Sequence, residues 1–325
     1  MIDELLLATR NGLTTCHREG DEWQETGRSL QDKHLTCVIH REDVALAGAT
    51  DGIYRSEDAG RTWRECCEGL TAKHVRWMLY HPDVRDLVFA GTEPAGIYVS
   101  HDGGQTWRAR PEVEKLRDER QWSMPYSPAA GCVRGFAFLG TRGYAAVEVG
   151  GVLRADDSGE TWRLVEGSNR NPEVEGPPEQ SIHPDVHSVS IHPWSRDVAF
   201  AATGGGFYRT TDGGKVWSLI YDCYCRAAWV NPEDPQNIIL GPADGVDRDG
   251  RIEATNDGGQ TWVSASEGLD VPWTHGMVER FIQAREDLLA VLSNGQLLQT
   301  PIAGWEWKRI VQGVSDITGV CELVI

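Results

Sequence analysis

An eight-residue phrase, Ser/Thr-x-Asp-x-Gly-x-Thr-Trp, recurs five times with small variation: Ser56–Trp63, Ser100–Trp107, Ala155–Trp162, Thr210–Trp217 and Thr255–Trp262. The copies stand roughly 45 to 55 residues apart, the period of a propeller blade or a solenoid unit. Each phrase reads chemically as a turn. Asp58, Asp102, Asp157, Asp212 and Asp257 accept backbone N–H bonds within it, and the glycine supplies a positive φ. The threonine re-enters a strand, while Trp63, Trp107, Trp162, Trp217 and Trp262 pack between neighbouring sheets. The aspartates are therefore expected to be structural turn residues rather than acids.

Upstream of each phrase the same order returns: an apolar strand, an alternating strand, a Gly turn and a third strand. Val44–Thr50 with Gly52–Ser56 has counterparts in Leu87–Thr92 with Gly96–Ser100 and in Val198–Thr203 with Gly206–Thr210. These are period-2 strands with turn punctuation, and helical periodicity is absent. Leu5–Thr9 with Gly12–Cys16 and Trp23, and Leu288–Leu292 with Gly295–Thr300 and Trp307, repeat the unit without the phrase. That makes seven units. The first lacks an inner strand and the C-terminus carries a surplus apolar segment, Val320–Ile325, so joining them closes a ring and removes the open edges. The expected fold is all-β: one seven-bladed β-propeller over residues 1–325, closed by the C-terminal strand joining the N-terminal blade. Its blades span about 1–28 with 316–325, 34–67, 74–110, 132–165, 186–222, 225–266 and 277–311, with inserts at 111–131 and 166–182.

Forty-nine acidic residues against thirty-one basic ones give a net charge of −18, which repels phosphate backbones and anionic membrane surfaces. Nucleic acid and membrane are accordingly not expected as partners. No stretch approaches the ~20 apolar residues of a bilayer span, and Met1-Ile2-Asp3-Glu4 is acidic where a signal peptide has its basic flank. The expected location is the cytoplasm. Eight cysteines without a secretory signal read as reduced, mostly buried thiols, since neither Cys66–Cys67 nor Cys223 and Cys225 has zinc-ribbon spacing.

With these repeats the chain resembles the Asp-box, or BNR-repeat, β-propellers, a group that includes sialidases, xyloglucan-active glycoside hydrolases, sortilin-type receptors and photosystem II assembly factors. The phrases Thr92-Glu-Pro-Ala-Gly96, His183-Pro-Asp-Val-His187 and Gly204-Gly-Gly-Phe-Tyr208 resemble the branch labelled sialidase-like or glycosyl hydrolase-like. Sialidases of the group have six blades and a Phe/Tyr-Arg-Ile-Pro motif near the start, and that motif is not present here. The resemblance implies either a glycoside hydrolase-like protein or, as in the assembly factors, a non-catalytic scaffold for a protein partner.

In a propeller the first strand of each blade lines the central channel, and the loops entering it, with those joining strands two and three, form the usual ligand face. Aligning the first strands on Pro82, Gly140, Pro193 and Pro232 puts Arg76, Arg134, His187 and Arg226 at one position, with Leu35 and Glu279 there in two further blades. Converging arginines bind carboxylates and phosphates bidentately, so a small anionic or carbohydrate ligand is expected in the funnel. The alternative is that they pair with Glu93, Glu279 or Asp51 as a satisfied polar plug. Glu93, Glu279 and His187 are the candidates for acid–base chemistry, and Glu148 and Asp51 occupy turns comparable to that of Glu93. Trp122, Tyr126 and Trp273 are candidates to stack on a sugar ring or, equally, to anchor loops. His183, Asp185 and His187 alternate along an extended segment and form a candidate divalent-metal trio, with hydrogen-bonded scaffolding as the alternative. No cofactor beyond that metal is implied. The acidic insert Pro242–Gly250 has the look of a calcium loop but lacks the closing glutamate.

Overall fold

Each of the seven units forms four antiparallel strands, in chain order from the axis outward in six of them and with the C-terminal strand innermost in the first. The computed structural model describes residues 3–20, 22–124, 126–127, 131–168 and 180–324. The inner strands are Ile317–Glu322, Leu35–Arg41, His74–Tyr80, Cys132–Leu139, Val186–His192, Tyr224–Val230 and Val278–Ala284, taken from the first blade to the seventh. Each packs on the next, and the seventh packs on the first. The chain is a seven-bladed β-propeller, and its closure is made by the C-terminus. Ile317–Glu322 pairs antiparallel with Glu4–Thr9, with Leu7 opposite Val320 and Ala8 opposite Gly319.

The repeated phrase joins the third and fourth strands of five blades. In the third blade Asp102 Oδ1 accepts from the Gln105 and Thr106 amides, both at 2.9 Å, and Oδ2 accepts from Thr106 Oγ1 at 2.6 Å. Ser100 Oγ donates to Asp102 at 2.7 Å while accepting from Gly104 N at 2.8 Å. Gly104 has φ of 85°, and a Cβ there would come within 2.7 Å of Leu46 in the preceding blade, so both backbone and packing require glycine. The box tryptophans fill the seam with the preceding blade. Trp107 Nε1 donates to Cys66 O at 3.0 Å, Trp162 meets Phe89 edge-on at 6.3 Å, and Trp262 meets Phe207 likewise at 6.2 Å.

These hydrogen bonds bind the ionised carboxylate. The Thr62 hydroxyl and amide hold Asp58 down to about 2, and in Asp102 the Thr106 bonds overcome burial to the same result, against 3.8 for a free aspartate. As pH falls the unfolded chain takes up these protons before the folded chain does. The boxes' contribution is therefore complete above about pH 4 and is lost as pH falls toward about 2. Thermal melts across that range should show Tm falling steeply below about pH 4. A Tm that stays level to about pH 2.5 would contradict the assignment.

Two features differ from the sequence reading. Insert 111–131 begins with a ten-residue helix, Pro111–Arg120, where no helical period was evident. Its face carries only Val113 and Leu116 toward the seam between the third and fourth blades. Proline in the first turn, Glu112 and Glu114 at the N-terminus and Arg117 and Arg120 at the other end suit its dipole. The closing strand starts at Ile317, earlier than the apolar segment Val320–Ile325. Of the insert at 166–182, residues 169–179 lie outside those described.

Candidate functional site

The seven inner strands share one irregularity. In each, the ladder to the second strand slips by one residue near the ligand-face end, as at Val75/Trp77, Val133/Gly135 and Val278/Arg280. The residues left over are Thr318, Thr36, Arg76, Arg134, His187, Arg226 with Ala227, and Glu279. A bulge re-aims its side chain, and repetition around the ring turns these residues toward one axis. The bulge also corrects the sequence alignment. Thr36, not Leu35, is the equivalent position, because Leu35 pairs with Ala49 and is fully buried in the sheet.

The seven residues divide by chemistry. Thr318, Thr36 and His187 staple adjacent inner strands: Thr318 Oγ1 donates to Leu35 O at 2.9 Å, Thr36 Oγ1 to Val75 O at 2.6 Å, and His187 Nδ1 lies 2.9 Å from Cys225 O. Arg76, Arg134, Arg226 and Glu279 fill the channel instead. They line a cavity of about 360 Å³ together with Arg10, Arg280 and Glu148, and the Thr36 and Thr318 staples reach its wall.

Within the cavity the charges are tightly coupled. Arg134 binds Glu148 at 2.9 Å and reaches across the channel to Glu279 at 3.2 Å. Glu279 is also clamped by Arg226, and Arg76 binds Glu93 at 3.1 Å behind the wall. Glu148 further accepts from Tyr126 Oη at 2.8 Å and from Cys132 Sγ at 3.2 Å. The polar-plug alternative thus holds for Arg76, Arg134 and Arg226, though Asp51 binds Lys33 at 2.7 Å instead. Two cations are different. Among the described residues, Arg10 and Arg280 line the cavity with no carboxylate within 4 Å. Arg280 reaches from the seventh blade to the Trp77 ring, 4.4 Å from its centroid, and donates to Thr36 O at 2.9 Å.

These environments set the protonation states. Burial disfavours charge on Glu148 and Glu279, yet Arg134 holds Glu148 down to about 2, and Arg226 and Arg134 lower Glu279. Burial pulls Arg280 down to about 10, and the opposing pulls of Cys37 and Glu279 against the repulsion of Arg134 and Arg76 do not restore it. Five arginines and two glutamates line the cavity, and counting Glu93 behind Arg76 still leaves two positive charges in excess.

Several candidates stand elsewhere. Glu279 is locked between two guanidinium groups and ionised, so it lacks the raised pKa a general acid needs. Glu93 is off the cavity wall, 3.6 Å from His74 Nδ1. His187 is 3% exposed and its ring faces Asp185 rather than the cavity. Trp122, 4% exposed, anchors the helical insert in the core, because its neighbours are Val113 and Val133 rather than solvent. Trp273 is a loop anchor, its amide donating to Gly250 O at 2.8 Å. Tyr126 alone of the three aromatics borders the cavity. His183 Nδ1 accepts from the Asp185 amide at 3.3 Å, and among the described residues the group whose ligand atoms converge is Glu148, Asp185 and His187. The acidic loop Pro242–Gly250 is answered by arginines, with Arg251 3.1 Å from Asp244.

Arg280 could have been found in the sequence only by knowing the bulge, whereas the turn comparison with Glu93 already pointed to Glu148. Arg280 follows the bulged position and Glu148 ends a second strand opposite Cys132.

Repeated boxes, seven sheets and an inner-strand channel together define an Asp-box β-propeller. A BNR/Asp-box repeat model matches residues 98–109. No curated protein matches in sequence. In structure the chain is similar to an ancestral GH74 enzyme (TM-score 0.62, 15% identity), covering 84% of this chain but 38% of the enzyme. It is similar to YCF48 bound to D1 peptide (TM-score 0.61, 14% identity) over 97% of this chain and 90% of that one. It is also similar to Sqt1 of Chaetomium thermophilum bound to the N-terminus of ribosomal protein L10 (TM-score 0.55, 11% identity), over 95% and 87%.

Proposed function

We propose that this propeller binds a small carboxylate-bearing ligand, such as an acidic sugar, in its central funnel and does not hydrolyse it. The observation that carries this is the local excess of positive charge in a chain of net charge −18, with Arg10 and Arg280 left without carboxylate partners among the described residues. Keeping Arg280 charged inside the channel costs stability, and a ligand carboxylate against it offsets that cost. Hydrolysis of a glycoside needs one carboxylic acid kept protonated. Glu148 and Glu279 are both held ionised instead.

The test is a thermal-shift series of acidic sugars and simple carboxylates on the parent, Arg280→Ala and Arg76→Ala. A true ligand at a hundredfold excess over its Kd stabilises by about 2.7 kcal/mol. Arg280→Ala should lose that response and Arg76→Ala should weaken it. No stabilisation by any carboxylate, or an unchanged response in Arg280→Ala, would overturn the reading.

A second reading is an acidic peptide of a protein partner in the same funnel. It is favoured by the two similar propellers, each captured with a polypeptide segment, that align over most of their own length. Acidic peptides in the same assay separate the two.

A further inference from the structure

Beneath the funnel wall, Glu148, Asp185 and His187 each offer one ligand atom, and the three atoms lie within 4.8 Å of one another. His187 is held by the contact of Nδ1 with Cys225 O at 2.9 Å. When Nδ1–H donates there, Nε2 presents its lone pair, the tautomer of a metal-ligating histidine whose other nitrogen is fixed by a carbonyl. Nε2 faces Asp185 Oδ1 at 3.1 Å, yet Oδ1 is buried and accepts no hydrogen bond. A proton joining the two atoms must lie near the line between them, whereas a metal ion sits off that line. With bonds of roughly 2.1 Å, the 3.1 Å separation subtends about 95° at the ion, the angle of two adjacent octahedral positions.

The turn after the second strand is shaped around the same carboxylate. A Cβ at Gly204 would lie 2.4 Å from Asp185 Oδ2, and the Gly204 amide donates to Asp185 O at 2.9 Å. Glu148, the third member, is oriented by Arg134 and Tyr126. We propose that Glu148, Asp185 and His187 bind one divalent first-row transition ion, with the remaining positions filled by water. Two carboxylate oxygens and one imidazole nitrogen suit ions from Mn²⁺ to Zn²⁺. The site shares Glu148 with the funnel, but metal alone tests it, so its outcome is separate from that of the carboxylate series.

The experiment uses the full chain without a histidine tag, stripped with EDTA and titrated with Co²⁺ by visible absorption, with melts in Mn²⁺, Co²⁺ and Zn²⁺. The expected result is one Co²⁺ per chain and a metal-dependent rise in Tm. Asp185→Asn and His187→Ala should abolish both. Gly204→Ala, which pushes on Asp185 without removing a ligand, should weaken binding about 10- to 100-fold. No saturable binding in the parent up to about 1 mM free metal, or unchanged binding in both ligand variants, would overturn the proposal. Should a variant fail to fold, as read by circular dichroism, the stoichiometry of the parent still decides.

Discussion

Truncation before Ile317 is expected to leave a chain with no cooperative unfolding transition. The removed segment supplies the inner strand of the first blade and the Thr318 staple to the second. It also buries Ile317, Val320 and Leu323, each 3 to 4% exposed. At ~1.5–3 kcal/mol for each fully buried aliphatic side chain, the loss is roughly 5–9 kcal/mol before strand pairing is counted. A whole domain is stabilised by only about 5–15 kcal/mol. Removal also exposes Glu4–Thr9 and the inner edge of the second blade, so the truncated chain should aggregate through unpaired edges. Differential scanning calorimetry of the truncated and full-length chains checks this, and a truncated chain with a sharp transition near the parental Tm would contradict ring closure.

Glu279→Gln is expected to destabilise the protein yet strengthen its response to anions. Glu279 bonds both Arg134 and Arg226, and its side chain is 20% exposed. Breaking a buried ion pair by removing one partner costs about 3–5 kcal/mol, because the charges left behind remain desolvated. Here two guanidinium groups lose that carboxylate, and Arg134 keeps Glu148. Partial exposure puts the expected loss near 3 kcal/mol, at the lower end of that range. The same vacancy raises the positive potential of the cavity, so an added carboxylate should restore more stability to the variant than it gives the parent. Chemical denaturation of both proteins with and without ligand measures the two effects. A variant as stable as the parent, or one with a smaller anion response, would show that Glu279 is not the residue balancing the funnel.

The architecture was readable because its signals are local. Asp102 and Gly104 satisfy a turn and a positive φ within a few residues, Trp107 sits at a fixed place in the same phrase, and the motif repeats. The inner-strand register was readable at Arg76, Arg134, His187 and Arg226, whose downstream turns share a spacing. It was misread by one residue at Thr36, where the turn Arg41–Val44 offers no proline marker and only the ladder to Ala49 and Gly48 reveals the slip. The charge partners of the arginines depend on distances between blades, as when Arg134 of the fourth blade meets Glu279 of the seventh. No periodicity within one strand encodes that pairing. The helix Pro111–Arg120 escaped because two apolar residues among charged ones make too narrow a stripe. Alternation along one strand pointed to His183 beside Asp185 and His187, whereas the packing of the fourth blade on the fifth brings Glu148 to them, which no pattern within one strand encodes.

The most direct test of the funnel is a crystal soaked in bromide, with anomalous scattering used to locate the ion. The account predicts a bromide in the channel against the guanidinium of Arg280, absent from Arg280→Ala crystals soaked in the same way. A channel free of bromide, with ions only on surface arginines outside the funnel, would contradict it.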